Sequence, residues 1–330
     1  MTEKNKFENH AIAVVIPCYK VEQHIQKVVN EIPDYVNSII LVNDASPDNT
    51  GEILNQLAKE NPKITVLHHD KNQGVGGTMI SGFQEAVKQN QEVVIKIDGD
   101  GQMDTTYLDK MLYAIFEEKY NFVKGNRFFD RNVLHKMPPI RRIGNMGMGF
   151  LIKMASGYWN VFDPTNGFFC LHSATLKRVN FSRLSKRFFF ESSLLIELFY
   201  TGAKIKDIAM PAIYADEKSN LSVWKTLFTF PPKLLKAFIR RIRLRYFVYD
   251  FNIGSLYIFF GIPLFLFGLI FGIVKWIHYA NLQTASPTGT IMIAVLSLVL
   301  GFQMLLAAIQ YDITSENPFA NKNTDFESVA

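Results

Sequence analysis

Short apolar runs rich in β-branched residues alternate with helix-like patterns along the first half of the chain. Four of these runs predict strands buried on both faces: 11–16, 38–42, 63–67 and 92–97. Apolar positions spaced three and four apart predict the helices between them: 22–32, 50–61 and 75–90. A fifth unit follows, with a helix over 105–119 and a strand over 121–124. This alternation predicts an α/β fold in which right-handed crossovers place helices on both faces of a mainly parallel sheet.

The pattern changes over residues 131–158, which are basic, rich in Met and Gly, and without strand periodicity. Apolar residues beside Lys and Arg are typical of an amphipathic element that lies on a membrane. A helix that covers the edge of the sheet explains the same pattern equally well. Further along, a helix is predicted over 191–201 and a strand over 205–214.

Two uncharged apolar stretches follow, at 254–274 and 288–309. At about 1.5 Å per residue, each is long enough for a helix to cross the roughly 30 Å hydrocarbon core of a bilayer. Six basic residues come just before the first stretch, and only one Lys lies in the linker 275–287; the six are Lys233, Lys236, Arg240, Arg241, Arg243 and Arg245. By the positive-inside rule, this asymmetry predicts a cytoplasmic soluble domain and C-terminal tail.

These patterns predict four regions. They are a soluble domain (1–225), a basic juxtamembrane amphipathic helix (226–250), a two-helix transmembrane hairpin (251–310) and a cytoplasmic tail (311–330). The net charge of +5 is concentrated in the juxtamembrane helix, where we expect it to contact anionic headgroups. No apolar secretion signal precedes the first strand, and the two cysteines, Cys18 and Cys170, exclude a disulfide framework.

The most specific chemical feature is the stretch KIDGDGQMD, residues 96–104, at the end of the fourth predicted strand. Two carboxylates one residue apart at the end of a buried strand indicate a bound cation, because buried charge is costly when it is unpaired. Asp98 and Asp100, with Gln102, offer the oxygen ligands that suit Mg²⁺ or Mn²⁺. The alternative is an Asp/Gly-rich turn with solvated carboxylates.

Other polar groups follow the neighbouring strands. Asp44 is a candidate ligand for a base or ribose, whereas the residues at 48–50 form a turn and a helix cap. The Gly-rich segment 72–78 opens a helix, where backbone can approach a nucleotide. It lacks a dinucleotide fingerprint, since Met79 occupies the last glycine position. Pro17 ends the first strand, beside the crevice that the carboxyl ends of these strands are expected to form.

Taken together, VVIPCYK, LVNDASPDNT, NQGVGGTMISG and KIDGDGQMD, in this order and spacing, resemble a family-2 glycosyltransferase of the GT-A fold, which is Rossmann-like. The resemblance continues through DPTNGF at 163–168 and FE at 190–191 into the two apolar stretches, so it covers nearly the whole chain. It is nearest to dolichyl-phosphate mannose synthases and bacterial polyprenyl-phosphate glycosyltransferases.

The resemblance implies roles for individual residues. The metal and diphosphate would be held by Asp98, Asp100 and Gln102, and the nucleotide sugar would contact Pro17, Tyr19, Glu22, Asp44, Asn72, Gly76, Asp98 and Gly99. The acceptor phosphate would be bound by Arg127, Arg131, Arg141, Arg142, Lys218 and Ser219, although headgroup contact or solubility explains the arginines equally well. The residues at the reacting centre would be Asp100, Asp163 and Glu191, although Asp163, which precedes a proline turn, would serve equally well as a structural residue.

Two segments depart from the family pattern. The run DEKSNL at 216–221 stands where relatives often have an Arg followed by Gly-x-Ser-Lys, and NGFF at 166–169 replaces the usual Ser-Gly-Phe-Arg. Both departures weaken any transfer of substrate identity from relatives.

The implied activity is inverting transfer of a sugar from a UDP- or GDP-linked donor to a polyprenyl phosphate, undecaprenyl or dolichyl, at the cytoplasmic face of the inner membrane. Such a product would serve cell-envelope glycan synthesis. The acceptor is already ionised, so a general base is not required, and Glu191 would orient rather than deprotonate. Rivals are transfer to a lipid hydroxyl, to a protein or to a growing polysaccharide, and a non-catalytic membrane scaffold. The sugar, the base, the lipid length and homo-oligomerisation stay open, and no nucleic-acid partner is expected.

Overall fold

The computed structural model describes residues 6–129, 139–211 and 223–320. The chain forms two compact units. The first unit comprises the residues up to Ala237 together with those from Phe319 onward, and the second unit is Phe238–Pro318.

The first unit is built on a mixed sheet, for which the described residues supply seven strands in the order β3-β2-β1-β4-β6-β5-β7. The strands are β1 (Ile12–Cys18), β2 (Ser38–Asn43), β3 (Ile64–His68), β4 (Val93–Lys96), β5 (Phe122–Asn126), β6 (Phe169–His172) and β7 (Ile205–Ala209). All neighbouring pairs are parallel except the two that involve β6. The predicted α/β class with a mainly parallel sheet is confirmed.

Helices connect and cover these strands. The described α-helices of this unit are α1 (Ile25–Asn30), α2 (Thr50–Glu60), α3 (Val75–Lys88), α4 (Leu108–Phe116), α5 (Pro139–Ser156), α6 (Ser173–Leu176) and α7 (Phe190–Tyr200). Every residue of β2 and of β4 is buried, which explains why these strands read as apolar runs rather than alternating ones. Because β1 to β4 are parallel, their carboxyl ends lie along one edge of the sheet.

The sequence did not predict where β6 lies. Sequence patterns give the strands only in their order along the chain. In the structure, β6 lies between β4 and β5 and is antiparallel to both. Periodicity identifies a buried strand but not its partners. The predicted strand 205–214 is also too long, since β7 ends at Ala209, two residues before Pro211, which lacks an amide hydrogen for the ladder.

The second unit contains the end of α8 (Val223–Arg243), a π-helical turn (Leu244–Tyr249), and the long helices α9 (Ile253–Asn281) and α10 (Thr288–Thr314). Both helices are long and apolar enough to cross a membrane, with a mean hydropathy of 2.4 over an 18-residue window of each. Each exceeds its predicted span, since α9 continues to Asn281, with Pro263 inside it, and α10 continues to Thr314. A Cβ on Gly268 would lie 2.5 Å from the backbone nitrogen of Leu298, so glycine permits close packing of the two helices.

Two of the six basic residues do not face headgroups, contrary to expectation. Arg241 and Arg245 are buried and bind Asp312 near the end of α10. Arg241 is bidentate, with both of its bonds 2.8 Å long. The hydroxyl of Tyr246 also donates to Asp312, at 2.7 Å. The sequence pattern showed an amphipathic helix but did not show that an acidic residue about 70 positions later pairs with it.

Candidate active site

The loops that follow β1 and β2 are bonded to each other at the carboxyl edge of the sheet. The backbone amide of Lys20 donates to the Ser46 hydroxyl at 2.7 Å, and Glu22 accepts a 3.0 Å bond from the amide of Asn49. Tyr19, in the loop after β1, is exposed, and the ammonium of Lys20 lies 5.6 Å from the centre of the Tyr19 ring. Tyr19 and Glu22 therefore lie at this edge, and their contact with a nucleotide stays a prediction.

Asp44 is buried, and its carboxylate is occupied by the protein itself. It accepts bonds from the amides of Gln73 (2.8 Å) and Gly74 (2.7 Å), and it pairs with Nδ1 of His69 at 2.9 Å. In this arrangement Asp44 holds the loop after β3 against the end of β2. The side chain of Asn72, which is exposed, donates to the backbone oxygen of Asp44 at 3.3 Å.

The Gly-rich segment serves packing. A Cβ on Gly76 would lie 1.9 Å from the backbone oxygen of Ser185, and Gly74, at φ +84°, abuts the oxygen of Lys186. The chain 185–186 occupies the space beside Gly76, and the expected approach of this backbone to a nucleotide stays a prediction. The sequence did not show that a distant loop would fill this space.

The acid turn, residues 98–102, leaves β4 beside the end of β1. A Cβ on Gly99 would lie 3.4 Å from the backbone oxygen of Pro17, so these two predicted residues are neighbours. Gly101 adopts a positive φ of 73°, and Asp100 accepts a 3.0 Å bond from the amide of Gln102. Both features are typical of a tight Asp/Gly turn. The side chain of Asp98 remains 34% exposed.

A buried lysine underlies this turn. Nζ of Lys96, at the end of β4, lies 2.5 Å from Oδ1 of Asp98 and 3.5 Å from Oε1 of Glu191, which belongs to the first turn of α7. The side chain of Lys96 has no exposed surface. Sequence analysis assigned it no role, although a lysine inside a fully buried strand was a signal that an acid must lie nearby.

The charges of this group depend on one another. Burial alone would lower the pKa of Lys96, but the carboxylates of Asp98 and Glu191 raise it above its ordinary value, so Lys96 is a cation. Burial raises the pKa of Glu191, and the ammonium of Lys96 opposes that rise. The three side chains carry one positive charge and, when both acids are ionised, two negative charges.

A second group lies at the end of β5. Arg127 binds Asp163 through Nε at 2.8 Å and Nη2 at 3.2 Å. Asp163 is fully buried, whereas Arg127 is 39% exposed. Burial alone would raise the pKa of Asp163, but the guanidinium of Arg127 holds it below its ordinary value. In this structure Asp163 positions Arg127, which is the structural role that the sequence left open.

Lys124, in β5, donates to the backbone oxygen of Asp163 from a fully buried position. Burial lowers its pKa to about 8, although nearby carboxylates oppose the change. Lys124 and Lys96 flank the same residue of β6, Phe169, one on each side. Sequence analysis missed Lys124 as well, which lies in a fully buried strand.

The acid turn fits a divalent cation of the Mg²⁺ or Mn²⁺ type. Asp98, Asp100 and Gln102 supply oxygen atoms, which hard cations prefer. Among the described residues, no group of three or more His, Cys, Asp or Glu side chains could hold a metal ion. A site with two carboxylates is incomplete by itself, and it suits an ion that takes its other ligands from water and a substrate diphosphate.

The remaining acceptor candidates are not tested by the geometry. Arg131, Lys218 and Ser219 lie outside the described residues. Arg141 and Arg142 belong to the first turns of α5, and only their helical backbone is described. Further along α5 and beyond it, Met146, Phe150 and Phe162 are exposed apolar residues.

The profile of the family described as glycosyl transferase family 2 matches residues 13–179, just over half of the chain. A UDP-N-acetylglucosamine–dolichyl-phosphate N-acetylglucosaminyltransferase of Methanococcus voltae is 28% identical over 62% of this chain and 86% of its own length. An undecaprenyl-phosphate mannosyltransferase of Micrococcus luteus is 24% identical over 60% of this chain and 81% of its own.

Among solved structures, a glucosyl-3-phosphoglycerate synthase of Mycobacterium tuberculosis, in complex with Mn²⁺ and UDP, is similar with a TM-score of 0.50. The match covers 71% of this chain and 80% of that one at 16% identity, so the likeness concerns the fold.

Proposed function

The chain belongs to glycosyl transferase family 2, and from that premise we propose that it transfers a sugar from a nucleotide-sugar donor to a polyprenyl phosphate. One observation carries the proposal. Asp98, a partly exposed carboxylate at the carboxyl edge of the sheet, contacts the buried Lys96, which also contacts Glu191. The same chain contains two helices that are able to cross a membrane. The enzyme class is a glycosyltransferase, and the lipid acceptor is the proposed part.

The relatives support this acceptor. The two relatives described above are named for transfer to dolichyl phosphate and to undecaprenyl phosphate, and each aligns with about 60% of this chain. A lipid acceptor also accounts for the apolar helices, which would keep the enzyme in the membrane that holds its substrate. We place the first unit and the tail on the cytoplasmic side of the inner membrane, because basic residues precede α9 and only one lysine, Lys275, lies between the predicted spans.

The reaction is a single displacement at the anomeric carbon. An oxygen of the acceptor phosphate forms the new bond to that carbon as the bond to the nucleoside diphosphate breaks, and the leaving group takes the electron pair. The anomeric configuration is therefore inverted. Asp98, Asp100 and Gln102 would hold a divalent cation, which would supply positive charge to the departing diphosphate.

The protein's own groups orient the two substrates. Arg127, fixed by Asp163 and partly exposed, is a cation at this edge that suits bidentate recognition of the acceptor phosphate. Tyr19, Glu22 and Pro17, which lie at the carboxyl edge of the sheet, would contact the donor nucleotide. Holding both reactants in line lowers the barrier without proton transfer, because the acceptor phosphate is already ionised.

One observation favours a second candidate, transfer to a lipid hydroxyl. That reaction needs a general base, and burial raises the pKa of Glu191, which makes its carboxylate a stronger base. The contact with Lys96 opposes this role, because the ammonium stabilises the ionised, less basic carboxylate.

A matched pair of acceptors separates the candidates. The purified full-length chain would be incubated with a panel of radiolabelled UDP- and GDP-sugars and either polyprenyl phosphate or the corresponding polyprenol. We expect lipid-linked label with the phosphate and none with the polyprenol. Label on the polyprenol alone would establish the hydroxyl candidate, and label on neither lipid with any donor would contradict both.

A further inference from the structure

The ammonium of Lys96 is a positive charge of the protein itself that lies beside the carboxylates of Asp98 and Glu191. The activity proposed above does not by itself require this charge. We infer that Lys96 is a positioning residue that binds one oxygen of Asp98, so that the divalent ion is left with the other oxygen and with Asp100. The same ammonium links Asp98 to Glu191, the acidic residue that would orient the acceptor. This inference rests on the proposed function, because it assumes that the acid turn binds a metal ion.

The position of the ammonium is fixed from several sides. Lys96 extends from β4, Glu191 comes from α7, and Gly167 lies in the turn before β6. A Cβ on Gly167 would lie 2.4 Å from Nζ of Lys96 and 3.0 Å from Oδ2 of Asp98. Gly167 therefore leaves the space that the ion pair fills, and the ammonium has little freedom to move away from Asp98.

The two oxygens of Asp98 are thereby made unequal. Oδ1 contacts Lys96 at 2.5 Å, while the side chain as a whole keeps 34% of its surface exposed. A carboxylate held through one oxygen presents the other in a fixed direction, which favours monodentate over bidentate binding of a metal ion. The positive charge of Lys96 also repels a divalent cation nearby, so metal binding to the free enzyme is weakened.

This arrangement makes metal affinity depend on the donor. Without a nucleotide, the positive charge of Lys96 offsets part of the attraction of the acid turn for a divalent ion. A donor diphosphate supplies further negative oxygens, and the metal ion and donor then bind together. An ion pair that only stabilised the fold would have no such effect on the metal.

The test measures Mn²⁺ binding by electron paramagnetic resonance on the full-length chain without nucleotide. For Lys96→Met we expect about tenfold tighter Mn²⁺ binding than for the unsubstituted protein, because a repelling charge is removed. We also expect slower sugar transfer, because Asp98 is no longer held. Lys96→Gln, which keeps a hydrogen-bond donor without the charge, provides a second test if Lys96→Met does not fold.

Lys124→Met is the matched control. It removes the other buried lysine beside Phe169, which is bonded to Asp163 rather than to Asp98, and should leave Mn²⁺ affinity within about twofold. Unchanged or weaker Mn²⁺ binding in folded Lys96→Met or Lys96→Gln would overturn the inference. If the unsubstituted protein bound no Mn²⁺ even with UDP, the metal site of the proposed function would fail instead.

Discussion

The strand-edge cluster (Lys96, Asp98 and Glu191) and the hairpin cluster (Arg241, Arg245 and Asp312) both bury charged side chains, but they differ in two respects. In the hairpin cluster two cations share one carboxylate, and all three residues are buried. In the strand-edge cluster one cation serves two carboxylates, and Asp98 reaches the surface.

This difference separates a structural ion pair from a site that can bind a ligand. The hairpin cluster has its acidic group enclosed by Arg241, Arg245 and Tyr246, so it fixes the end of α10 to the π-helical turn and the end of α8. The strand-edge cluster has excess negative charge and one partly exposed carboxylate, so it attracts a cation. Burial of charge alone would not have distinguished them.

The largest effect is expected from Asp100→Ala in the acid turn. Loss of this carboxylate should lower the rate of sugar transfer about 10³-fold, because the developing charge on the leaving diphosphate is no longer neutralised. The thermal midpoint of unfolding should stay within a few degrees. Initial rates with labelled donor, together with scanning calorimetry, measure both quantities.

Asp104→Ala is the control for that substitution. Asp104 caps the short 3₁₀ turn after the acid turn and accepts a bond from the amide of Thr106. Its loss should cost about 1 kcal/mol of stability and leave transfer within about twofold. Equal loss of transfer in both variants would mean that the turn, and not a metal ligand, matters.

Asp312→Asn should lower stability and leave sugar transfer unchanged, which is the reverse of the effect expected for Asp100→Ala. Two buried guanidinium groups would lose their counter-charge, and we expect the free energy of unfolding to fall by about 3 kcal/mol. Transfer per folded molecule should be unchanged. Denaturant titration of the detergent-solubilised protein, with Asp250→Asn as an exposed control in the same unit, measures the effect. A stable but inactive Asp312→Asn protein would assign the hairpin cluster a role in the reaction.

A smaller effect concerns Asp163 and pH. Because its folded pKa lies below its ordinary value, the stabilisation by Asp163 is complete above about pH 4 and is lost as the pH falls further. Asp163→Asn should therefore cost about 1–3 kcal/mol at pH 7 and show a shallower decline of stability in acid. Thermal midpoints between pH 7 and pH 3 test this, and parallel declines in the two proteins would contradict it.

The sequence predicted most of the strands and located the acid turn, because both depend on local patterns. Fully buried strands such as β2 and β4 appear as apolar runs, and two aspartates after such a run indicate a cation site. The two apolar helices could also be predicted, because the length and hydropathy of an apolar stretch are read directly from its residues.

Contacts between distant segments could not be predicted. Gly76 packs against Ser185, Arg241 pairs with Asp312, and β6 enters the sheet between two earlier strands. Each depends on which segments meet after folding, and single-residue patterns carry no such information. Lys96 is an intermediate case, because its burial was predictable from β4 while its partner Glu191 was not.

The central claim is that a divalent ion on the acid turn assists the departure of the nucleoside diphosphate toward a polyprenyl phosphate acceptor. The direct test is sugar transfer by the full-length protein in nanodiscs with polyprenyl phosphate and its accepted donor, before and after EDTA. We predict that chelation reduces lipid-linked product at least 100-fold and that added Mn²⁺ or Mg²⁺ restores it. Transfer that continues unchanged in EDTA would contradict the account.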